Sequence, residues 1–236
     1  MHRRVGFLIA IVITAIVAVC GFIHAYRQYI ASTPAIDPDH ALYPVRGIDI
    51  SAHNGDIDFT KVKAAGYDFA IIKATEGTDF KDAAFVDNVR EATAAGMMVG
   101  AYHFFRFDTD GRLQALNLLH SLRNRRLDFP AVVDVEKFGN PDGHEASMII
   151  ARLRTMLDYL DKAGVDVILY SNKDDYERYL KDNFGHYPLW ICSFTIPDET
   201  VDWKLWQYTH SGKVDGINGK VDLNTIKPEF LRYIRR

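Results

Sequence analysis

The amino-acid sequence predicts an α/β fold, a TIM-like (β/α) barrel with an irregular, β-rich C-terminal end, preceded by one N-terminal transmembrane helix. Three observations lead to this prediction. An uncharged apolar run opens the chain, and from residue 46 onward short apolar runs alternate with segments of helical period. Near the C-terminus, strand-like segments follow one another without a long helix between them. Alternating strands and helices are typical of a parallel sheet.

The apolar run covers residues 5–23, VGFLIAIVITAIVAVCGFI, and follows two arginines. About 20 apolar residues cross a bilayer as a helix, whereas the apolar part of a signal peptide is typically ~7–15 residues long. We therefore predict a signal anchor over residues 1–25, with the rest of the chain outside the cytoplasm, in the periplasm or cell envelope. Cleavage after Ala25 and lipid attachment at Cys20 are the alternatives, and both give the same location.

Residues 26–45 contain three prolines together with serine and threonine, and this composition is typical of a linker. Residues 46–236 then form the predicted barrel domain. Their number suits one domain, since α/β barrels often run to roughly 200–250 residues.

Six strand-like runs alternate with five helical segments in the first part of this domain. The strand-like runs are almost continuously apolar, as expected where both faces of a sheet are buried. Several helical segments end at a glycine, a common helix terminator. The predicted strands are 46–51, 69–75, 98–105, 130–138, 167–172 and 188–194, and the predicted helices are 59–66, 83–96, 111–124, 144–164 and 173–185.

The pattern changes after residue 200. Residues 203–212 and 220–226 are strand-like. The segment between them is rich in glycine and asparagine, which is typical of a turn. Residues 227–236 have the pattern of a terminal helix. The barrel is therefore expected to close with a β-rich, non-helical end.

Composition excludes several classes of function. The chain has 28 basic and 31 acidic side chains, and the basic ones form no stripe with interleaved aromatics, so we expect no nucleic-acid partner. Of the two cysteines, only Cys192 lies in the predicted barrel, which excludes an internal disulfide there. No histidine or cysteine cluster has metal-ligand spacing. We predict a monomer without metal or cofactor.

The strongest catalytic signal is the sequence VVDVEKF. Asp134 and Glu136 are two residues apart on a predicted strand, so both side chains should point to the same face. Such a pair can be a structural acid pair, but burying two acids without a function is costly. Neighbouring buried carboxyl groups should titrate differently. A protonated acid beside a carboxylate is what glycosidic cleavage needs, although this spacing does not decide between retention and inversion.

Other polar and aromatic side chains fall near the same strand ends, where barrels carry their function. Asp49 and Asp222 come from the first and last strands, which are neighbours in a closed barrel. Gln207 alternates with Trp206, so only one of the two should face inward. We interpret Lys73 and Glu76 as a structural ion pair. The candidate saccharide-binding residues are Tyr102, Tyr170, Trp190 and Gln207, for which core packing is the alternative.

The motifs of this domain, taken in order, resemble those of the family 25 glycoside hydrolases, lysozymes of the Chalaropsis type that act as N-acetylmuramidases. The resemblance covers about residues 46–232. The motifs that carry it are GIDIS-x-x-NG (47–55), FAIIKATEGTDFKD (69–82), F-x-x-N-x-x-x-A-x-x-AG (85–96), VGAYHFF (99–105), VVDVE (132–136), LYSN (169–172), LWICSF (189–194) and LWQYTHSGKVDGINGKVDLN (205–224).

The resemblance implies a barrel of five βα units with an irregular, β-rich end. It also implies hydrolysis of the β-1,4 bond between N-acetylmuramic acid and N-acetylglucosamine, which makes the glycan strands of peptidoglycan the expected partner. By position, Glu136 would be the general acid. Asp134 would stabilise positive charge or orient the acetamido group of the substrate. Asp49 and Asp222 would support them at the floor of the site.

Two other functions remain open at this point. An anchored protein on the same scaffold could bind peptidoglycan without cutting it, although the intact acids argue against this. A hydrolase of another N-acetylhexosamine polymer, such as chitin, is the second alternative. The D-x-x-D-x-D-x-E run of related chitinases is not found in this sequence.

Overall fold

The computed structural model describes residues 36–234. The predicted signal anchor at residues 1–25 and residues 26–35 of the predicted linker lie outside the described residues. Within the described range, no helix is both long enough and apolar enough to cross a membrane.

Eight strands close into a barrel. The first seven strands of the barrel pair with one another in parallel. The eighth and last barrel strand runs antiparallel to both of its neighbours, the seventh and the first. A ninth, two-residue strand (β3) pairs only with the end of β2. The strands are β1 (Arg46–Ile50), β2 (Phe69–Glu76), β3 (Phe80–Lys81), β4 (Met98–Phe104), β5 (Ala131–Asp134), β6 (Val167–Asn172), β7 (Leu189–Cys192), β8 (Trp203–Gly212) and β9 (Val221–Ile226).

Helical segments follow the first five parallel barrel strands, so the five βα units implied by the resemblance are confirmed. They are α1 (Phe59–Ala64), α2 (Phe85–Ala94), α3 (Gly111–Leu122), α4 (Ala146–Lys162) and an interrupted helix at residues 173–184. Local signals explain their ends. Asp58 and Asp110 accept hydrogen bonds from the first-turn N–H groups of α1 and α3. Gly164 follows α4 with a φ of 73°, a conformation that glycine adopts without strain.

Three predicted elements need correction. The predicted helix at 173–185 is broken into Lys173–Asp175, a π-helical turn at Tyr176–Leu180, and Lys181–Phe184. The predicted strand at 130–138 ends at Asp134, and beyond Val135 the chain forms a loop that side-chain hydrogen bonds of Asn140 tie to the β4 loop. The predicted terminal helix at 227–236 is a 3₁₀ segment, Pro228–Tyr233, that places Phe230 against the barrel bottom.

The barrel interior is layered. Apolar side chains fill the end from which the parallel strands begin, and they include Phe69, Val132, Ile168, Leu205 and Ile226. The residues two positions further along several strands are polar or aromatic and lie above this layer. Side chains on the other strand face pack between the barrel and the helices in a larger core. This filled lower layer leaves a cavity only at the opposite mouth of the barrel interior.

Candidate active site

One cavity at the carboxyl ends of the parallel strands gathers every site residue predicted from the sequence. Its lining comprises four acids, two tyrosines, one tryptophan and one glutamine. On β8 the period-two alternation turns Gln207 into the cavity, while Trp206 packs in the outer core. The lining residues are Asp49 (β1), Tyr102 (β4), Asp134 and Glu136 (at and after the end of β5), Tyr170 (β6), Trp190 (β7), Gln207 (β8) and Asp222 (β9).

Glu136 stays on the cavity side although β5 has ended two residues earlier. Val135 between the two acids is buried, its N–H donates to the Tyr170 carbonyl at 2.9 Å, and its carbonyl accepts from Ser171 Oγ at 2.7 Å. The chain therefore continues alongside β6 for one more residue pair. Asp134 and Glu136 keep the common direction that their spacing predicts.

Asn140 fixes the loop that carries Glu136. Its Nδ2 donates to the Glu136 carbonyl at 2.9 Å and to the Phe105 carbonyl at 3.0 Å, and its Oδ1 accepts from Phe107 N at 2.8 Å. One side chain thus ties the β5 loop to the β4 loop. Lys73 Nζ lies 2.8 Å from Glu76 Oε2, as the predicted ion pair requires.

The pKa of Glu136 is raised from its usual 4.5 to about 7. Burial is the largest cause, followed by the negative charges of Asp175 and Asp222. A hydrogen bond from Asn172 and the charge of Lys73 act in the opposite direction. A carboxylic acid with this pKa retains its proton in a large share of molecules at neutral pH, and that is the state a general acid needs.

Asp134 lies beside Glu136 and is only 8 % exposed. Burial and the charges of Glu136 and Asp49 raise its pKa, and Lys73 lowers it. No described residue makes a hydrogen bond to its Oδ1 atom. Buried polar atoms are almost always paired in proteins, so an unpaired carboxyl oxygen in a cavity wall indicates a place for a ligand donor.

Asp49 and Asp222 form the floor of the cavity. They are direct partners across the antiparallel β1–β9 pair. Burial is the largest cause of the raised pKa of each. The charge of Asp222 raises the pKa of Asp49 further. The floor is therefore a pair of acids that keep their protons more readily than isolated carboxyl groups do.

Two chains of hydrogen bonds end at Asp49 Oδ2. In the first, the Tyr170 hydroxyl donates to Gln207 Oε1 at 2.6 Å, and Gln207 Nε2 donates to Asp49 at 3.3 Å. In the second, Trp190 Nε1 donates to Asn224 Oδ1 at 3.0 Å, and Asn224 Nδ2 donates to Asp49 at 2.8 Å. Both aromatic residues are thus oriented by the same half-buried acid.

Trp190 is 2 % exposed and packs edge-on against Tyr170, with ring centroids 4.8 Å apart. Most of its surface is therefore occupied by protein contacts, and only a rim reaches the cavity. Its role in stacking on a sugar stays a prediction.

Three residues close to the acids were not selected from the sequence. Asn172 and Asn224 are among the polar residues at the predicted strand ends, and Asn224, two residues from Asp222 on a strand, must share its face. Asp175 carries only the pattern of an acid in the first turn of a helix, which by itself indicates no site.

Comparisons with known proteins agree with this geometry. The family model for glycosyl hydrolases family 25 matches residues 48–217. Lysozyme M1 of Streptomyces globisporus is 34 % identical over 210 residues, covering 80 % of this chain and 70 % of that protein. Autolytic lysozyme of Clostridium acetobutylicum is 32 % identical over 189 residues, covering 79 % of this chain and 57 % of that protein.

A solved structure gives the same result. The family 25 glycosyl hydrolase from Bacillus anthracis superposes with a TM-score of 0.75 at 34 % identity, covering 85 % of this chain and 97 % of that one.

Proposed function

Because the chain belongs to glycosyl hydrolase family 25, we propose that it cleaves the β-1,4 bond between N-acetylmuramic acid and N-acetylglucosamine, with Glu136 as general acid. The chain is a glycosidase, a peptidoglycan-hydrolysing lysozyme, as its relatives named lysozyme support. The single observation that carries the role of Glu136 is a pKa of about 7 in a cavity lined by three more acids.

In the proposed first step, the Glu136 carboxyl gives its proton to the glycosidic oxygen. The bond between that oxygen and the anomeric carbon breaks, and the leaving sugar departs with a new hydroxyl group. Positive charge develops at the anomeric carbon. The ionised Glu136 can afterwards remove a proton from the water that completes hydrolysis.

We propose that Asp134 contacts the sugar whose anomeric carbon belongs to the cleaved bond. Its unpaired Oδ1 can accept a hydrogen bond from the N–H of the acetamido group. This contact would orient the acetamido oxygen for attack on the anomeric carbon, so that the substrate itself supplies the nucleophile. Direct stabilisation of positive charge by the carboxylate is the alternative role. An inverted product anomer would contradict the substrate-assisted route.

Asp49 and Asp222 are proposed to support this pair from below. Asp49 holds Tyr170 and Trp190 through Gln207 and Asn224. Tyr102, which also lines the cavity, is proposed to contact the saccharide together with these residues. These contacts hold the cavity wall in place, which matters because small displacements of reacting groups lower reaction rates strongly.

Peptidoglycan lies outside the cytoplasm, so a peptidoglycan hydrolase acts there. We propose that residues 5–23 anchor the chain in the membrane, on the evidence of their length and lack of charge. Alkaline extraction of membranes tests the anchor. An anchored chain stays in the membrane pellet at full mass, whereas recovery of a shortened chain in the supernatant would contradict the proposal.

Mass analysis of soluble fragments released from purified sacculi tests the activity. The wild-type protein should release muropeptides that end in N-acetylmuramic acid, and Glu136→Gln should release almost none. If both proteins bind sacculi and neither releases fragments, the chain is a binding protein. A parallel incubation with chitin oligomers should show no cleavage; preferential cleavage of chitin would identify another substrate.

A further inference from the structure

Asp175 is a buried carboxylate beside Glu136 that is not among the residues lining the cavity. It is 6 % exposed and lies in the first segment of the interrupted helix, next to the π-helical turn. Its Oδ2 atom accepts two hydrogen bonds, from Lys137 N at 2.7 Å and from Asn172 Nδ2 at 2.6 Å. Lys137 directly follows Glu136, so Asp175 holds the backbone on one side of the acid.

Asn172 lies between the two carboxyl groups. Its amide donates to Asp175, and it also lies near enough to Glu136 to lower the pKa of that acid. Its Oδ1 accepts from Asp175 N at 3.0 Å, which caps the start of the helical segment. These contacts fix the amide orientation, because a flipped amide would turn its oxygen toward a carboxylate.

We propose that Asp175 is a positioning residue for Glu136, holding the Lys137 N–H on one side and the Asn172 amide on the other, with its negative charge beside the acid. The inference rests on the proposed function of Glu136. Short hydrogen bonds from two fixed donors to a buried carboxylate are the arrangement expected for a residue that supports a catalytic group.

The charges around Glu136 determine what the loss of Asp175 should do. After burial, the Asp175 charge is the largest cause of the raised pKa of Glu136, while the Asn172 hydrogen bond lowers that pKa. The two neighbours therefore act in opposite directions. The titratable and polar groups around Glu136 are Asp134 from β5, Lys73 from β2, Tyr170 and Asn172 from β6, Cys192 from β7, Asp175 from the interrupted helix, and Asp49 and Asp222 from β1 and β9.

The pH profile of kcat/KM on peptidoglycan tests this proposal with the full chain in detergent. Asp175→Asn should move the upper limb of the profile down by about one pH unit, the size of shift that a nearby charge produces. At pH 8 its kcat should fall about tenfold with little change in KM. Asn172→Ala should move the limb upward. Asp174→Asn, an exposed neighbour, is the matched control and should leave the limb in place.

The position of the limb does not depend on the fraction of active protein, so it separates positioning from a loss of folding. If the upper limb of the pH profile stays in place or moves to higher pH in Asp175→Asn, the proposal is overturned, even if activity falls. If that variant does not fold, Asn172→Ala decides alone, and an unmoved or lowered limb overturns it.

A second readout is independent of hydrolysis. Carbon-13 NMR of glutamate-labelled protein follows the Glu136 carboxyl carbon, identified by its absence in Glu136→Gln. Its titration midpoint should fall in Asp175→Asn, and an unmoved midpoint overturns the inference. Wild-type protein that leaves sacculi intact would refute the proposed function, while this titration would still test Asp175.

Discussion

Asp49 and Asp222 lie opposite each other across the β1–β9 pair, and burial together with the charge of Asp222 raises the pKa of Asp49. The two residues are far apart in the sequence and meet only when the last barrel strand pairs with the first. Closure of the barrel and assembly of the acidic floor are therefore the same structural event. Substitutions in this floor should therefore affect both the stability of the protein and its function.

Replacement of Asp49 should destabilise the protein. In Asp49→Ala, the donors of Gln207 and Asn224 lose their common acceptor inside a closed barrel. Leaving buried donors unpaired costs about 1–3 kcal/mol each, so for two donors we expect the free energy of unfolding to fall by about 2–6 kcal/mol. Urea denaturation measures it, with exposed Asp56→Ala as control. An equal, small effect of both substitutions would argue against the network.

Stability should depend on pH through Glu136. Its pKa is about 7 in the folded protein and near 4.5 when exposed, so between these values the folded state binds more protons than the unfolded state. Stability supplied by the buried, protonated form is therefore present at low pH and lost as the pH rises through 7. Denaturation of the wild type and Glu136→Gln across pH 4–8 should show the wild type losing about 1–3 kcal/mol more.

The contrary result for that experiment is equally clear. If the wild type and Glu136→Gln lose stability in parallel over the whole range, the proton on Glu136 contributes nothing. The raised pKa of the acid would then be excluded as an explanation of its role.

Loss of Asn140, which does not itself line the cavity, should slow hydrolysis. Asn140→Ala leaves two carbonyls and one N–H without the partners that join the β4 and β5 loops. We expect kcat to fall roughly 10–100-fold, since a 1 Å misplacement can have that effect. Steady-state kinetics on soluble peptidoglycan fragments measures it. Unchanged kcat in a folded variant would show that the loop needs no such tie.

Asp134→Asn should weaken catalysis even on substrates that need no proton donor. An amide at this position keeps the shape but presents a neutral group to the acetamido N–H. We expect a loss of about 10²-fold or more on both natural and activated substrates, because the proposed nucleophile is no longer oriented. Kinetics on an activated aryl glycoside checks this, and near wild-type rates there would exclude the acetamido-orienting role.

Much of the fold could be predicted because its strands are buried on both faces. Continuous apolar runs such as PAVV and VILY give a strong strand signal, and glycines mark the helix ends. The alternation rule also placed the site, since it puts Asp134 and Glu136 on one face and allows only one of Trp206 and Gln207 to face inward. Local sequence patterns were sufficient for these predictions, because side-chain direction on a strand and the position of a helix end depend mainly on residues that are close in sequence.

The missed features depend on contacts between distant segments. Hydrogen bonds of Asn140 tie the loop after β5 to the β4 loop, and no local pattern signals them. The π-helical turn after Asp175 adds about one residue per turn, a change too small for hydrophobic period to reveal. Asp175 itself looked like an ordinary first-turn acid, and only the fold brings it to the Lys137 N–H.

The most direct test of the central claim compares Glu136→Gln on two substrates of different leaving group. On peptidoglycan, where the departing sugar hydroxyl needs a proton, we expect a loss of about 10³-fold or more relative to wild type. On a dinitrophenyl glycoside of the same sugar, whose leaving group departs without protonation, kcat/KM covers only the steps up to departure of the leaving group, so it should fall less than about tenfold. An equally large loss on both substrates would contradict the assignment of Glu136 as the general acid.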